Sequence, residues 1–261
     1  MQTSDWADLN GVRLYYETHG AGQPVVLLHG AFGGAYVWAA QVAELGSHYR
    51  LLLPEQRGRG HSPDVEGPVS YQLMTLDTAD FIEHVVGGPV AVVGASDGGI
   101  IGLHLCLSRP DLVRKLVTIG ANYHVDGLVP GSGWTEASAD DPAWSRPRQY
   151  YAAVSPDGPD HWPVIFAKLQ RMWLQEPTLD VSDVARITAP VLVMSGDDDA
   201  VALSHTVSLY EALPDGQLAV IPGSSHAVFL EKPDIVNRLI RDFLQAEGPP
   251  QTILPVRRAK G

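Results

Sequence analysis

Short apolar runs recur along the chain, and almost every position in them is hydrophobic. They read "PVVLLHG", "YRLLLPE", "PVAVVGA", "VRKLVTIGA", "APVLVMSGD" and "GQLAVIPG". Runs of this length that are rich in β-branched residues are typical of strands buried on both faces. An earlier segment, "VRLYYET", alternates between apolar and polar positions instead. That alternation predicts a strand of an antiparallel hairpin.

Segments with the helical spacing of apolar residues lie between these runs. The spacing predicts helices at Tyr71 to Val86, Asp97 to Ser108, Ser204 to Leu213 and Lys232 to Gln245. Strands therefore alternate with helices along most of the chain. This order predicts an α/β fold, with a mostly parallel sheet flanked by helices on both faces.

The alternation stops between residues 122 and 182, where aromatic residues stand among prolines and acids. We interpret this stretch as a helical cap inserted into a core formed by residues 1–121 and 183–246. Residues 247–261 combine chain breakers with a short basic end, which predicts a flexible tail. The aromatic residues of the predicted cap are Trp134, Trp144, Tyr150, Tyr151, Trp162, Phe166 and Trp173.

Composition and charge restrict the class of partner. The chain has 261 residues, of which 45% are hydrophobic and 18% charged, as in an ordinary globular protein. Its formal net charge of −12 disfavours binding to nucleic acids and anionic membranes. The amino-terminal "MQTSDWADLN" has no signal-peptide pattern, and no apolar run is long enough to cross a bilayer. We therefore expect a cytoplasmic monomer or homodimer that acts on a small molecule.

The segment "GASDGG", Gly94 to Gly99, joins an apolar run to a predicted helix. A serine between glycines at a strand-to-helix turn is typical of a nucleophile elbow, because glycine lets the helix and the strand approach closely. Ser96 is thus the predicted nucleophile. Asp97 follows it directly, although a carboxylate there would oppose a developing oxyanion by roughly 3 kcal/mol at an effective dielectric constant near 20.

A serine nucleophile needs a base to take its proton and an acid to orient that base. His226 lies in "PGSSHAVFLEKP", between a predicted strand and the last helix, where it has no evident packing role. In hydrolases that carry such an elbow, the acid lies between the serine and the histidine in chain order. The sequence "SGDDDAVA" offers Asp197, Asp198 and Asp199 after a buried strand.

Taken together, these segments resemble the α/β-hydrolase fold superfamily from residue 10 to about 245. The resemblance implies an eight-stranded sheet and selects Asp199 as the acid, with Asp198 as the fallback. It also implies that the backbone amide of Ala31 joins that of Asp97 in an oxyanion hole, with Phe32 as the alternative to Ala31. The matching segments are His29-Gly30, "RGRGHS", the elbow, Gly196-x-x-Asp199 and "GSSHAVFLEKP".

One position departs from the superfamily pattern. Glu55 stands near a strand end where relatives usually have Asp, and we expect this change to affect local hydrogen bonding and not the reaction. Histidines and carboxylates do not occur at metal-ligand spacing, and the glycine segments match neither a dinucleotide fingerprint nor a phosphate loop. We therefore expect no metal and no cofactor.

The elbow sequence also narrows the reaction. A serine nucleophile argues against the haloalkane dehalogenase and epoxide hydrolase branches. "GASDGG" followed by "TIGAN" is similar to the biphenyl hydrolase-like and valacyclovir hydrolase group and, more loosely, to enol-lactonases. The resemblance predicts a serine hydrolase that cleaves a small carboxylic ester or lactone through an acyl-enzyme. Alternatives are a carbon–carbon bond hydrolase of the meta-cleavage type, or a low-turnover ligand receptor or biosynthetic cyclase.

Four residues are candidates for substrate contact: Phe32, Asp97, Phe166 and Trp173. Phe166 and Trp173 belong to an apolar stripe with Leu169 and Met172, which either covers Ser96 or anchors the cap. Three roles are open for Asp97. It binds a substrate ammonium group, it stabilises the N-terminus of the helix that follows Ser96, or it has a supporting role beside His226.

Basic residues in the predicted cap bear on the carbon–carbon alternative. An anionic enol-dienoate substrate needs a cation that faces the pocket. A simpler interpretation of each candidate is a charged side chain exposed to solvent on the protein surface. The candidates are Arg146, Arg148, Lys168 and Arg171.

Overall fold

The computed structural model describes residues 2–132 and 136–256; Trp134 and the last five residues of the predicted tail lie outside them. The strands β1 to β8 are Gln2–Leu9, Val12–Gly20, Gln23–Leu28, Tyr49–Pro54, Val90–Ala95, Val113–Ile119, Val191–Asp198 and Gly216–Ser225. They form one sheet in the order β1-β2-β4-β3-β5-β6-β7-β8. β2 is antiparallel to β1 and β4, and the remaining pairs are parallel, which confirms the predicted fold class.

The predicted hairpin is formed by β1 and β2. Asn10 and Gly11 connect the strands, both with positive φ (45° and 75°), as the tight turns of two-residue hairpins require. β1 was not predicted from the sequence, because most of its side chains are polar and exposed. Its backbone pairing with β2 holds it at the edge of the sheet.

The predicted helices are present with small differences at their ends. The helices α1 to α9 are Ala39–Leu45, Tyr71–Phe81, Asp97–Ser108, Ser145–Val154, Trp162–Gln175, Val181–Val184, Leu203–Ala212, Val228–Glu231 and Pro233–Gln245. α3 has the predicted bounds, and α2 is followed by a π-helical turn at Ile82–Val86. α7 begins and ends one residue earlier than predicted, and α9 begins one residue later.

The segment between β6 and β7 carries α4, α5 and α6. α5 buries one face, which includes Ile165, Phe166 and Leu169. The division into a core and a cap at residues 122–182 stays a prediction. In the part of the chain that the structure describes, no helix combines the length and apolarity needed to cross a bilayer.

Candidate active site

The carboxyl ends of four parallel strands bring the predicted site residues to one edge of the sheet. Ala31 follows β3, Ser96 follows β5, Asp199 follows β7 and His226 follows β8. In open parallel sheets this edge is where ligands bind. Residues more than a hundred positions apart in sequence are thus placed together by the strand order.

Ser96 lies in a backbone conformation that few side chains adopt, with φ 52° and ψ −118°. The flanking glycines are required by space, since a Cβ at Gly98 would collide with the backbone of Leu28 and one at Gly94 with the backbone of Gly98. The Ser96 amide donates to the carbonyl of Ile119 at 2.8 Å, which fixes the turn against β6. The serine is therefore held at a sharp turn between β5 and α3.

A chain of hydrogen bonds runs from Ser96 to Asp199. The Ser96 Oγ lies 3.0 Å from His226 Nε2, and His226 Nδ1 lies 2.6 Å from Asp199 Oδ1. If Nδ1 donates to the carboxylate, Nε2 carries the lone pair that can accept the serine proton. The amide of Val201 also donates to Asp199 Oδ1, at 2.9 Å. The Asp199 side chain is 2% exposed, so this carboxylate is held in place within the protein.

The other two aspartates of the β7 loop have a different setting. Asp197 and Asp198 are exposed to solvent, and Asp197 accepts a hydrogen bond from the amide of Ser224 at 3.2 Å. Asp199 turns inward to His226. The geometry thus separates Asp199 from its two neighbours.

The loop after β3 packs directly against the elbow: a Cβ added to Gly30 would come within 2.8 Å of Ser96 Cβ. His29 supports this loop, since its Nδ1 lies 2.9 Å from the Gly30 carbonyl and its Nε2 accepts from the Gln56 amide at 3.0 Å. Burial lowers the pKa of His29 to about 4, so the ring is neutral at pH 7. Among the described residues, the amides of Ala31 and Asp97 have no hydrogen-bond acceptor.

Asp97 has partners that the sequence analysis missed. Its Oδ1 accepts from the Tyr71 hydroxyl at 2.8 Å and from Trp173 Nε1 at 3.2 Å. Arg59 Nη2 lies 4.0 Å from Asp97 Oδ2, and both side chains are almost fully buried. Burial raises the pKa of Asp97, while the charge of Arg59 and the two hydrogen bonds oppose that rise. Burial also lowers the pKa of Arg59 to about 10, which still leaves the guanidinium charged at pH 7.

Arg59 also contacts the loop that carries Ala31. Its Nε donates to the Ala31 carbonyl at 3.2 Å, and its Nη1 donates to the Arg57 carbonyl at 2.7 Å. Arg57 instead forms an ion pair with Asp77 at 2.6 Å. Nothing in "RGRGHS" distinguishes the two arginines, so the sequence could not assign Arg59 to the elbow.

Two cavities are each lined by both Ser96 and His226. The smaller has a volume of about 20 Å³, room for one water molecule, and is lined also by Asp97, Asn122 and Glu176. The larger has a volume of about 540 Å³. Its lining is mostly apolar and includes Ala31, Phe32, Tyr36, Val37, Trp144, Arg146, Phe229 and Leu230.

The predicted substrate contacts are distributed between these cavities. Phe32 lines the larger one, whereas Asp97 and Trp173 line the smaller one. Phe166 stacks on Phe32 with ring centroids 5.1 Å apart and belongs to the lining of neither cavity. The α5 stripe thus turns Trp173 toward the site, while Leu169 is fully buried.

The four basic residues of the predicted cap also differ in position. Arg146 lines the larger cavity. Arg148 forms an ion pair with Asp140 at 3.1 Å, and Lys168 forms one with Asp64 at 2.6 Å. Arg171 lines a separate cavity that contains neither Ser96 nor His226.

Glu55, where relatives usually have Asp, accepts several hydrogen bonds at the end of β4. It accepts from the amide of Ala35 at 2.9 Å, from the amide and Nδ1 of His61, and from the Tyr150 hydroxyl of α4 at 2.8 Å. Burial raises the pKa of Glu55, but these hydrogen bonds outweigh it and hold the pKa below its usual value. Glu55 therefore joins the β4 end to α4.

The strand order and the elbow together define the chain as an α/β hydrolase. The sequence model of the Alpha/beta hydrolase family matches residues 25–239, and the chain belongs to that family. This confirms the resemblance found in the sequence.

Individual relatives carry several activities in their names. The chain is 29% identical to the putative carbamate hydrolase RutD of Azorhizobium caulinodans, over 88% of this chain and 94% of that protein. It is 28% identical to the mouse (Mus musculus) serine hydrolase BPHL, over 93% of this chain and 87% of that one. The enol-lactonase of Burkholderia xenovorans has a similar fold, with a TM-score of 0.75, 22% identity and coverage of 93% and 100%.

Proposed function

We propose that this protein is a serine hydrolase that cleaves a small carboxylic ester or lactone through an acyl-enzyme. The observation that carries the proposal is the continuous hydrogen-bond chain from Ser96 through His226 to Asp199. The relatedness to BPHL, a protein named as a serine hydrolase, supports it.

In the proposed first half-reaction, Ser96 Oγ attacks the scissile carbonyl while His226 Nε2 takes its proton. Asp199 stabilises the imidazolium that forms and keeps Nδ1 protonated. The negative charge that develops on the carbonyl oxygen is stabilised by the amides of Ala31 and Asp97. One donor of this kind contributes about 3 kcal/mol to transition-state stabilisation.

The first half-reaction ends when His226 returns the proton to the alcohol oxygen as the bond between that oxygen and the acyl group breaks. The alcohol then leaves, or stays tethered when the substrate is a lactone. In the second half-reaction, a water molecule gives a proton to His226 and attacks the carbonyl carbon of the acyl-enzyme. As the second tetrahedral intermediate collapses, His226 returns the proton to Ser96 Oγ, the bond between Oγ and the acyl carbon breaks, and the acid is released.

A substrate screen tests the proposed function. The set contains p-nitrophenyl esters, lactones, aminoacyl esters, a carbamate and a meta-cleavage diketone, because the same triad can act on each. We expect ester or lactone turnover in the wild type that the Ser96→Ala variant lacks. Equal rates in the two proteins would contradict the proposal. Turnover of the diketone alone would favour the carbon–carbon alternative, and no turnover of any substrate would favour the receptor or cyclase alternative.

The partners of Asp97 change the expectation for its role. The charge of Arg59 and the hydrogen bonds from Tyr71 and Trp173 already offset the carboxylate, so a cationic substrate is not needed for that purpose. The Asp97 side chain nevertheless lines the smaller cavity beside Ser96. Two roles of Asp97 are therefore compared: binding of a substrate ammonium group and support of the elbow. They predict different effects of replacing Asp97 on charged and uncharged substrates.

We expect the Asp97→Asn substitution to lower kcat/KM for an α-amino ester and for its uncharged analogue equally, by about tenfold, because it disturbs a buried network of charged and hydrogen-bonded groups. Loss of the countercharge of Arg59 should also lower the melting temperature. The measurement compares kcat/KM for the p-nitrophenyl esters of valine and of 3-methylbutanoate. A loss confined to the valine ester would support ammonium recognition instead.

A further inference from the structure

The charge at the larger cavity beside Ser96 comes from one side chain of the described part of the chain. Among the described residues that line it, Arg146 is the only Asp, Glu, Lys or Arg. Most of the other lining side chains are apolar, including Val37, Pro147 and Leu230. A ligand that fills this space therefore meets hydrophobic walls and one cation.

Arg146 stands at the start of α4, and its side chain is exposed to solvent. Its guanidinium lies 6.0 Å from the centre of the Tyr36 ring. Tyr36 packs on Tyr150, with ring centroids 4.2 Å apart, and the Tyr150 hydroxyl is bonded to Glu55. The aromatic surface under the guanidinium is thus attached to the buried end of β4.

Within the described residues, no carboxylate lies within ion-pair distance of Arg146. The contrast with Arg148, two positions further along the same helix, is direct, since Arg148 pairs with Asp140. The protein carries a formal net charge of −12, which repels anions in general. A local cation at the cavity is therefore the feature that could favour an anionic ligand there.

We propose that the substrate of this site carries an anionic oxygen group, separated from the scissile carbonyl by an apolar stretch, and that Arg146 binds it. The apolar stretch lies along the cavity walls, and the carboxylate, sulfonate or phosphate reaches the guanidinium. A planar guanidinium binds such oxygen groups by paired hydrogen bonds. This inference rests on the proposed function, because it assigns the substrate class of the same Ser96 site.

The test compares Arg146→Gln with Arg148→Gln on matched pairs of esters. One series varies the acyl part: p-nitrophenyl hemiesters of glutarate, adipate, suberate and sebacate against esters of monocarboxylic acids of equal length. The other varies the alcohol part: acetates of ω-hydroxy acids against acetates of the matching alkanols. Both series are needed because the anion can lie on either side of the scissile bond.

The measured quantity is the preference ratio, kcat/KM for the anionic ester divided by kcat/KM for the matched neutral ester. In one of the two series, we expect Arg146→Gln to lower this ratio by about fivefold, which is the effect of an ion pair exposed to solvent. Arg148→Gln should leave this ratio unchanged. Added salt should reduce the preference of the wild type and not that of the variant. An unchanged ratio in both series, or an equal change in both variants, would overturn the proposal.

Binding to the Ser96→Ala variant separates this inference from the proposed hydrolysis. Titration calorimetry with the same ester pairs, with and without Arg146→Gln, should show the same loss of preference for the anionic ester. If the wild type hydrolyses nothing while this preference persists, the proposed function fails and the binding site stands. If hydrolysis proceeds without any charge preference, the binding site fails and the proposed function stands.

Discussion

Replacing Ser96 or His226 by alanine is expected to lower kcat by about 10⁶-fold, whichever ester the protein hydrolyses. In the proposed mechanism, Ser96 supplies the atom that forms the acyl bond, and His226 moves the proton in both half-reactions. Because the two side chains are joined by a 3.0 Å hydrogen bond, they act as one unit. The double variant should therefore be little slower than either single one.

The measurement is steady-state hydrolysis of the best ester from the screen, with a circular dichroism melt of each variant. Ser108→Ala provides a matched control, since Ser108 lies at the exposed end of the same helix, α3. Its turnover should equal that of the wild type. If the fold-loss of kcat in the double variant equalled the product of the fold-losses in the two single variants, Ser96 and His226 would act independently, and the prediction would be wrong.

The second large effect is expected at Asp199, the predicted acid that orients His226. Asp199→Asn should reduce kcat by about 10⁴-fold, because an amide neither stabilises the imidazolium nor holds His226 in the required tautomer. The Asp199 side chain is nearly fully buried and accepts from both His226 Nδ1 and the Val201 amide.

Asp198→Asn is the matched control for Asp199→Asn. The two residues are adjacent, but Asp198 is exposed at the end of β7 and should tolerate the change. The same kinetic assay is run on both variants. Severe loss in Asp198→Asn with near-normal turnover in Asp199→Asn would show that our assignment of the acid is wrong.

Much of this site could be predicted because local sequence determines it. The strands β3, β5 and β7 have no alternation since helices cover both faces of the sheet, and their apolar runs reveal them. The loops that follow such strands meet at one edge, so Ser96 and Asp199 could be placed near each other. β1 was missed because an exposed edge strand carries no comparable apolar signal.

The surroundings of Asp97 could not be predicted in the same way. Tyr71, Arg59 and Trp173 reach it from separate parts of the chain, and none has a neighbour pattern that marks the contact. The bond from Tyr150 to Glu55 likewise spans 95 positions. Such pairings depend on how α2, α4 and α5 pack, which only the folded structure specifies.

A serine-directed fluorophosphonate probe, read by intact mass and by peptide mapping, tests the central claim most directly. The account predicts one adduct per chain, located on Ser96. The Ser96→Ala variant should remain unlabelled, and His226→Ala should react far more slowly, because the hydroxyl then lacks its base. An adduct on another residue, or equal labelling of wild type and Ser96→Ala, would contradict the assignment of Ser96 as the nucleophile.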